Sequence, residues 1–285
     1  MTYYVLSVIT NTGFPYFNLE LKEIPKDVNL FLRFFDFSKN NKEVEMNLDS
    51  TSLFELNAGL VSALFEFARN IDKKIEIIEF NSQDRVSQNK KTSKYKGDVL
   101  ITTQTEPYIL HKSAKAKIKL IYDSIISKKI PLDSALELLQ NEEDAIIAIL
   151  TDKVARDRIK DHKSELSKQC DTFTSEMKKY GLLGLSITSF DLSPIFIHGD
   201  TYSFQRIDSI LRNVGVFPEI PSLEWIYRQS FTSNDEIWVY IIKSGVGPTV
   251  DGVFQPYFYL LFAEPQSYLG EFPAKVTSKF NQILG

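Results

Sequence analysis

Nucleophilic or metal chemistry in this chain would fall to three histidines, His111, His162 and His198, and a single cysteine, Cys170. None stands at the spacing from Cys, Asp or Glu that a zinc motif needs. His198-Gly199-Asp200 sets an imidazole beside a carboxylate, as a base and its orienter would be. Adjacent residues seldom form such a dyad, however, and no Gly-x-Ser-x-Gly elbow supplies a nucleophile. A hairpin end running into an Asp helix cap accounts for the same residues. Cys170 lies in a charged stretch with no partner motif. Gly245-Val246-Gly247-Pro248 is the one glycine-rich stretch. A phosphate cradle needs glycines that lead into a helix N-terminus, whereas this segment sits between two expected strands. Glu142-Glu143-Asp144 could meet a divalent ion, but three successive acids do not share a helix face and suit a helix start. No catalytic, metal-ligating or cofactor-binding residue is expected, and the chain is read as non-enzymatic.

Charge offers the other chemical signal. The 285 residues hold 33 basic and 37 acidic side chains, a formal charge of −4. Within residues 85–129, 11 basic residues face only 3 acidic ones, 11 − 3 giving +8. Lys90, Lys91, Lys94, Lys96, Lys112, Lys115, Lys117 and Lys119 carry this excess. One reading is a solvated loop and helix face. A second is attachment to an anionic membrane surface, where each lysine contributes about 1 kcal/mol. A third is an acidic protein partner. Nucleic acid is not expected, because the cluster lacks the interleaved aromatics on which bases stack.

The apolar fraction of 43% and charged fraction of 25% are those of a globular protein, not a disordered or fibrous one. One cysteine excludes an internal disulfide framework and fits a reducing compartment. No apolar run approaches 18 residues, and the opening Met1-Thr2-Tyr3-Tyr4-Val5 has no basic n-region. A cytoplasmic protein, at most peripheral to a membrane, is expected.

The elements that must hold these residues can be read from periodicity. Residues 3–9 and 14–21 form two expected strands around the turn Asn11-Thr12-Gly13. Residues 28–37 are apolar and aromatic, and strand and short helix stay open there. Asp49 or Ser50 can cap a helix to about Ile71, with Leu53, Leu56, Leu60, Leu64, Phe67 and Ile71 on one face. Ala58, Gly59, Ser62 and Ala63 make a second, small strip where another backbone can pack closely. Strands are expected at 74–80 and 99–103, a helix from Pro107 and another from Pro131. The sparse apolar positions of 152–179 (Val154, Ile159, Leu166, Phe173 and Met177) predict a long solvated connector ended by Gly181. A hairpin at 182–198, a helix capped by Asp200 or Thr201, strands at 225–231, 236–243 and 253–262, and a closing helix at 273–284 complete the chain.

The two hairpins align at an offset of 179. Leu6, Ser7, Val8, Pro15 and Phe17 match Leu185, Ser186, Ile187, Pro194 and Phe196. Each half reads strand, strand, helix, three strands, helix, which points to a duplicated α/β unit. Two- and three-stranded meanders together make a five-stranded antiparallel sheet with helices on its faces.

The opening run from Val5 to Phe17 and the helix from Gly59 to Ala68, with its small strip and Phe-Ala end, resemble longin and roadblock domains. The resemblance covers residues 1–127, and residues 182–285 mainly by topology. It implies an α+β chain of two such units, 1–129 and 181–285, joined by a helical connector over 130–180. It also implies a non-enzymatic, archaeal-type protein that binds Ras-like small GTPases or another longin or roadblock protein, in trafficking or nucleotide-exchange assemblies. The partner surface would be Ala58, Gly59, Ser62 and Ala63 with the sheet edges, or the lysines at 90, 91, 94, 96, 112, 115 and 119. Two other readings are a small-molecule-sensing module and a membrane-surface adaptor that uses 85–129.

Overall fold

A computed structural model describes residues 2–10, 15–25, 28–37, 59, 62–64, 66, 69–70, 99–129, 138–199, 202–231 and 236–285. The chain divides into two compact units, one of Met1–Ser38 with Lys96–Gly285 and one of Lys39–Tyr95. In the second unit the described residues, Gly59, Ser62, Ala63, Leu64, Glu66, Arg69 and Asn70, are helical, as the periodicity predicts. The turn at 11–13, the polar stretch at 38–47, the strand at 74–80 and the helix start at Pro131 lie outside the described residues.

Among the described residues the first unit holds two larger antiparallel sheets and one two-stranded pair. Strands β1 (Tyr3–Thr10), β2 (Pro15–Glu20), β3 (Phe31–Asp36) and β4 (Val99–Thr105) pair in the order β2-β1-β4-β3. Alternate residues of these strands, Leu6, Val8, Leu19, Phe35, Val99 and Ile101, enter one core. Ile118 and Ile121 of helix α1 (His111–Ser124) close it, together with Ile146 and Leu150 of α2 (Gln140–Leu150). The undecided segment 28–37 is therefore a strand. Its place corrects the expected order of elements, because β3 precedes the helical residues at 59–70, whereas the strand beside the central one in the second sheet follows a helix.

The second sheet joins β5 (Leu182–Thr188), β6 (Pro194–His198), β7 (Trp225–Phe231), β8 (Glu236–Lys243) and β11 (Phe258–Ala263) in the order β6-β5-β11-β8-β7. Every residue of β11, Phe-Tyr-Leu-Leu-Phe-Ala, is buried, as a central strand covered on both faces must be. Helix α5 (Phe204–Val214) supplies Ile207, Ile210 and Leu211 to one face. Its N-cap is Ser203, whose hydroxyl accepts from the Arg206 amide, rather than Asp200 or Thr201. Helices α3 (Lys153–Asp161), α4 (Lys163–Met177) and α6 (Phe272–Leu284) cover the other face.

That packing corrects the reading of 152–179 as one solvated connector. The segment is two helices broken at His162, and Ala155, Ile159, Leu166, Cys170, Phe173 and Met177 form one buried stripe against the sheet. Their separations of 4, 7, 4, 3 and 4 follow the helical period, with Ala155 and Cys170 completing the stripe and Val154 exposed. The expected strand at 253–262 also differs. Thr249–Val250 (β9) and Val253–Phe254 (β10) form a small hairpin of their own, and Pro256, lacking an amide hydrogen, separates it from β11.

The two main hairpins pair alike. In β1–β2, Val8 faces Phe17 and Ile9 faces Pro15, with a bulge between Val8 and Ile9. In β5–β6, Ile187 faces Phe196 and Thr188 faces Pro194, with a bulge between Ile187 and Thr188. Each is therefore displaced by 179 residues in register and in irregularity alike. The central strands β4 and β11 then pair with β1 and β5 in the same sense.

The β9–β10 hairpin separates two kinds of glycine. Gly252 follows Asp251 in a two-residue turn where both have positive φ, and open space surrounds it. At Gly247 an added Cβ would collide with the Gln255 carbonyl and the Pro256 backbone, neither of which can rotate away. Gly252→Ala should cost about 1–2 kcal/mol, the strain of a left-handed alanine. Gly247→Ala should cost clearly more, and urea unfolding of the two variants measures the difference.

Candidate functional site

Of the lysines expected to form a basic surface, Lys90, Lys91, Lys94 and Lys96 lie outside the described residues. Lys112, Lys115 and Lys119 are exposed on α1. Lys112 pairs with Glu219 and Lys119 with Asp123, so two of the three carry a local counter-charge. Lys117, from the same run, is instead fully buried. In the other candidate surface, Ala58 lies outside the described residues, while Gly59, Ser62 and Ala63 are helical and exposed, with nothing within 4 Å of a Cβ built on Gly59.

Burial of Lys117 follows from its place three residues after Ala114 and four before Ile121, on the apolar side of α1. Its Nζ lies 2.7 Å from Asp152 Oδ2 and 2.5 Å from Asp191 Oδ2, and it donates to the Leu150 carbonyl at 3.4 Å. The rings of Tyr3 and Phe190 flank it at 5.2 and 5.4 Å. Asp191 sits in the β5–β6 turn, where its Oδ1 also accepts from the Ser189 hydroxyl and the Ser193 amide. Ser113 of α1 donates to the Phe190 carbonyl of the same turn. Asp152 stands between α2 and α3 at φ +55°, and its Oδ1 is buried with no donor.

The two acids respond oppositely. Burial and the neighbouring Asp191 charge push Asp152 up to about 6, against the pull of Lys117. Asp191 is also desolvated, but Lys117, Ser189 and the Ser193 amide outweigh that and hold it below the usual carboxylate range. The cluster ties the first sheet's helix to the second sheet's hairpin. It has no exposed atom to offer a substrate.

A second polar cluster connects the end of β4 to α5. Glu106 is fully buried and receives two bonds from Arg212, Nε at 2.8 Å and a terminal nitrogen at 2.7 Å, with the Tyr4 hydroxyl at 2.5 Å. Tyr108 donates to Asp208 at 2.7 Å, and the Lys22 ammonium lies 3.9 Å from the centre of the Tyr4 ring. Burial raises Asp208 and lowers Lys22, while the bonds that Arg212 donates to Glu106 raise Arg212. Each of these acids is already held by a donor, so the arrangement fastens one element to another.

The remaining chemistry-bearing residues are placed structurally. His111 stacks on Phe35 at 6.1 Å, His162 Nδ1 lies 2.9 Å from the Arg158 carbonyl, and His198 Nε2 lies 3.3 Å from Asp171. Burial pushes the Cys170 thiol up to about 12, away from thiolate reactivity. Glu142 caps α2 by accepting from the Leu139 amide and pairs with Lys129. Among the described residues no group of three His, Cys, Asp or Glu could hold a metal ion, and no helix is long and apolar enough to cross a membrane. A surface cleft of about 370 Å³ lies at the end of α4, lined by Met177, Tyr180, Tyr268, Leu269 and Phe272, with the Glu176–Lys275 pair at its rim.

The fold and these clusters define an α+β protein whose two larger described sheets are pinned together by buried ion pairs. No protein-family model, no curated protein and no solved structure matches the chain.

Sequence reasoning missed Lys117, Asp152, Asp191, Glu106 and Arg212 as a set, because their separations of 35 to 106 residues leave no local motif. The register of Lys117 on α1 was the one available signal. Lys117→Met leaves two desolvated carboxylates without their cation and should cost about 3–5 kcal/mol in urea unfolding. Tyr4→Phe removes a hydrogen bond to a buried charge and should cost about 1.5–3 kcal/mol in the same measurement.

Proposed function

We propose that the chain is a non-enzymatic binding platform of two longin/roadblock-like units, 1–129 and 181–285, that regulates or adapts Ras-like small GTPases. The observation that carries this reading is the bulged hairpin, repeated at a 179-residue offset with the same partners and followed in each half by a central strand and a helix. Such repetition suits a protein that presents two related surfaces. The buried acids and bases described above are engaged in fastening elements, which favours presentation over chemistry.

Two separate contact surfaces are candidates, the exposed strip Gly59, Ser62 and Ala63 in one unit, and in the other the outer strand β7, where Tyr227 and Phe231 stand exposed. The membrane-adaptor reading is less favoured, since Lys112 and Lys119 already face Glu219 and Asp123. Incubation with purified small GTPases from the same organism, carrying a fluorescent guanine nucleotide, tests the proposal. We expect a stable complex on gel filtration or altered nucleotide release for at least one of them. Ala63→Arg and Phe231→Asp should each weaken that complex by roughly tenfold or more while the thermal midpoint holds. A full panel with neither binding nor altered release would remove the GTPase assignment.

A further inference from the structure

The Lys117 cluster holds more negative charge than positive. One ammonium stands between two carboxylates, all three side chains at 0–1% exposure, which leaves one net negative charge in the interior. The other groups facing it are the Tyr3 hydroxyl from β1, which has no hydrogen-bond partner, and Arg33 from β3, engaged with Thr105 and the Ile109 carbonyl. Arg156 of α3 also lies close, but its guanidinium donates to the Thr151 and Pro194 carbonyls and the Ser193 hydroxyl. None of these bonds reaches Asp152 Oδ1.

The acids are not equivalent. Asp191 receives Lys117, a hydroxyl and a backbone amide, so ionisation suits it. Asp152 receives Lys117 on Oδ2 and feels the nearby Ser189 hydroxyl, whose hydrogen bond goes to Asp191, while its own Oδ1 is a buried acceptor with no hydrogen-bond donor. A proton on Oδ1 would remove both the uncompensated charge and the orphaned acceptor. Asp152 is also a junction residue. It leaves α2 and starts α3 at φ +55°, with its amide weakly bonded to the Ile149 carbonyl at 3.3 Å.

We propose that the Lys117–Asp152–Asp191 cluster is a proton-operated latch, in which Asp152 binds one proton at Oδ1 and its loss loosens the α2–α3 junction from α1 and the β5–β6 turn. The proton comes from solvent and returns to it, and no other covalent bond forms or breaks. Because Asp152 is raised in the folded chain, its contribution is fully present below the ordinary Asp value and fades as pH rises to about 6. Asp191 acts oppositely, its contribution present above the ordinary Asp value and fading as pH falls through and below it. The latch thus tightens on mild acidification and is released near neutrality.

Carboxyl carbon shifts of the full chain, with Asp152 assigned by its loss in Asp152→Asn, read the proton directly. A midpoint well above the ordinary Asp value of about 3.9 is expected, and one at or below it overturns the proposal. Amide hydrogen exchange over residues 149–156, corrected for intrinsic rate, reads the junction. The opening constant should rise by up to about tenfold per pH unit between roughly 4 and 6 and then level. Asp152→Asn tolerates the same left-handed backbone and should abolish that slope. A slope unchanged in Asp152→Asn overturns the latch. Should that variant fail to fold, site-selective aspartate labelling assigns the carboxyl and the wild-type titration alone decides.

Discussion

One buried ammonium, that of Lys117, holds this molecule's architecture in register. It reaches from the helix that covers the first sheet to the junction behind α2 and to the turn that opens the second sheet. Desolvating three charges is unfavourable unless the geometry and remaining hydrogen bonds are close to complete. The turn meets that demand by giving Asp191 two further donors, and α1 meets it by aligning Ser113 on the Phe190 carbonyl. An apolar contact between these elements would tolerate sliding. Directed bonds to a fixed cation do not, so the pairing of α1 with the β5–β6 turn is specific as well as stable.

The Glu106–Arg212 pair does for α5 what Lys117 does for the hairpin. Glu106 directly follows β4, and the chain immediately beyond it places Tyr108 in the core beneath the second sheet, its hydroxyl bonded to Asp208 of α5. Two separate ion clusters therefore connect segments 35 to 106 residues apart. The apolar cores lie within sheets and their own helices, and the buried charges lie where one layer meets another's turns. That division of labour explains why so many titratable groups are buried in a chain whose exposed surface gathers no catalytic constellation among the described residues.

The duplicated hairpin shows how far local patterning reaches. Proline at positions 15 and 194 and the aromatic two residues later were visible as a repeat, and the bulge opposite each proline is the structural counterpart of that spacing. Beyond the hairpin the repeat is incomplete. Segment 28–37 alternates too loosely to settle its type alone, and only pairing with β4 makes it a strand. The helices of 153–177 were misjudged for a related reason. Their apolar stripe is narrow, with alanine and cysteine among its members, and reads as solvated until a sheet is there to receive it.

Composition and periodicity by themselves determined the α+β class, the two main hairpins, a helix after Pro107, one ending near Asn213 and one at 273–284, and the lack of any short-range catalytic or metal motif. Those features depend on neighbours within one or two turns, which the order of residues specifies directly. Only the tertiary structure decided that Lys117 belongs inside while Lys112 and Lys119 stay out, and that Asp152 and Asp191 are its partners. The reason is physical. A lysine's sign is written in the chain, but whether it meets water or a carboxylate depends on which distant segment packs over it, and that choice is made by the whole fold at once.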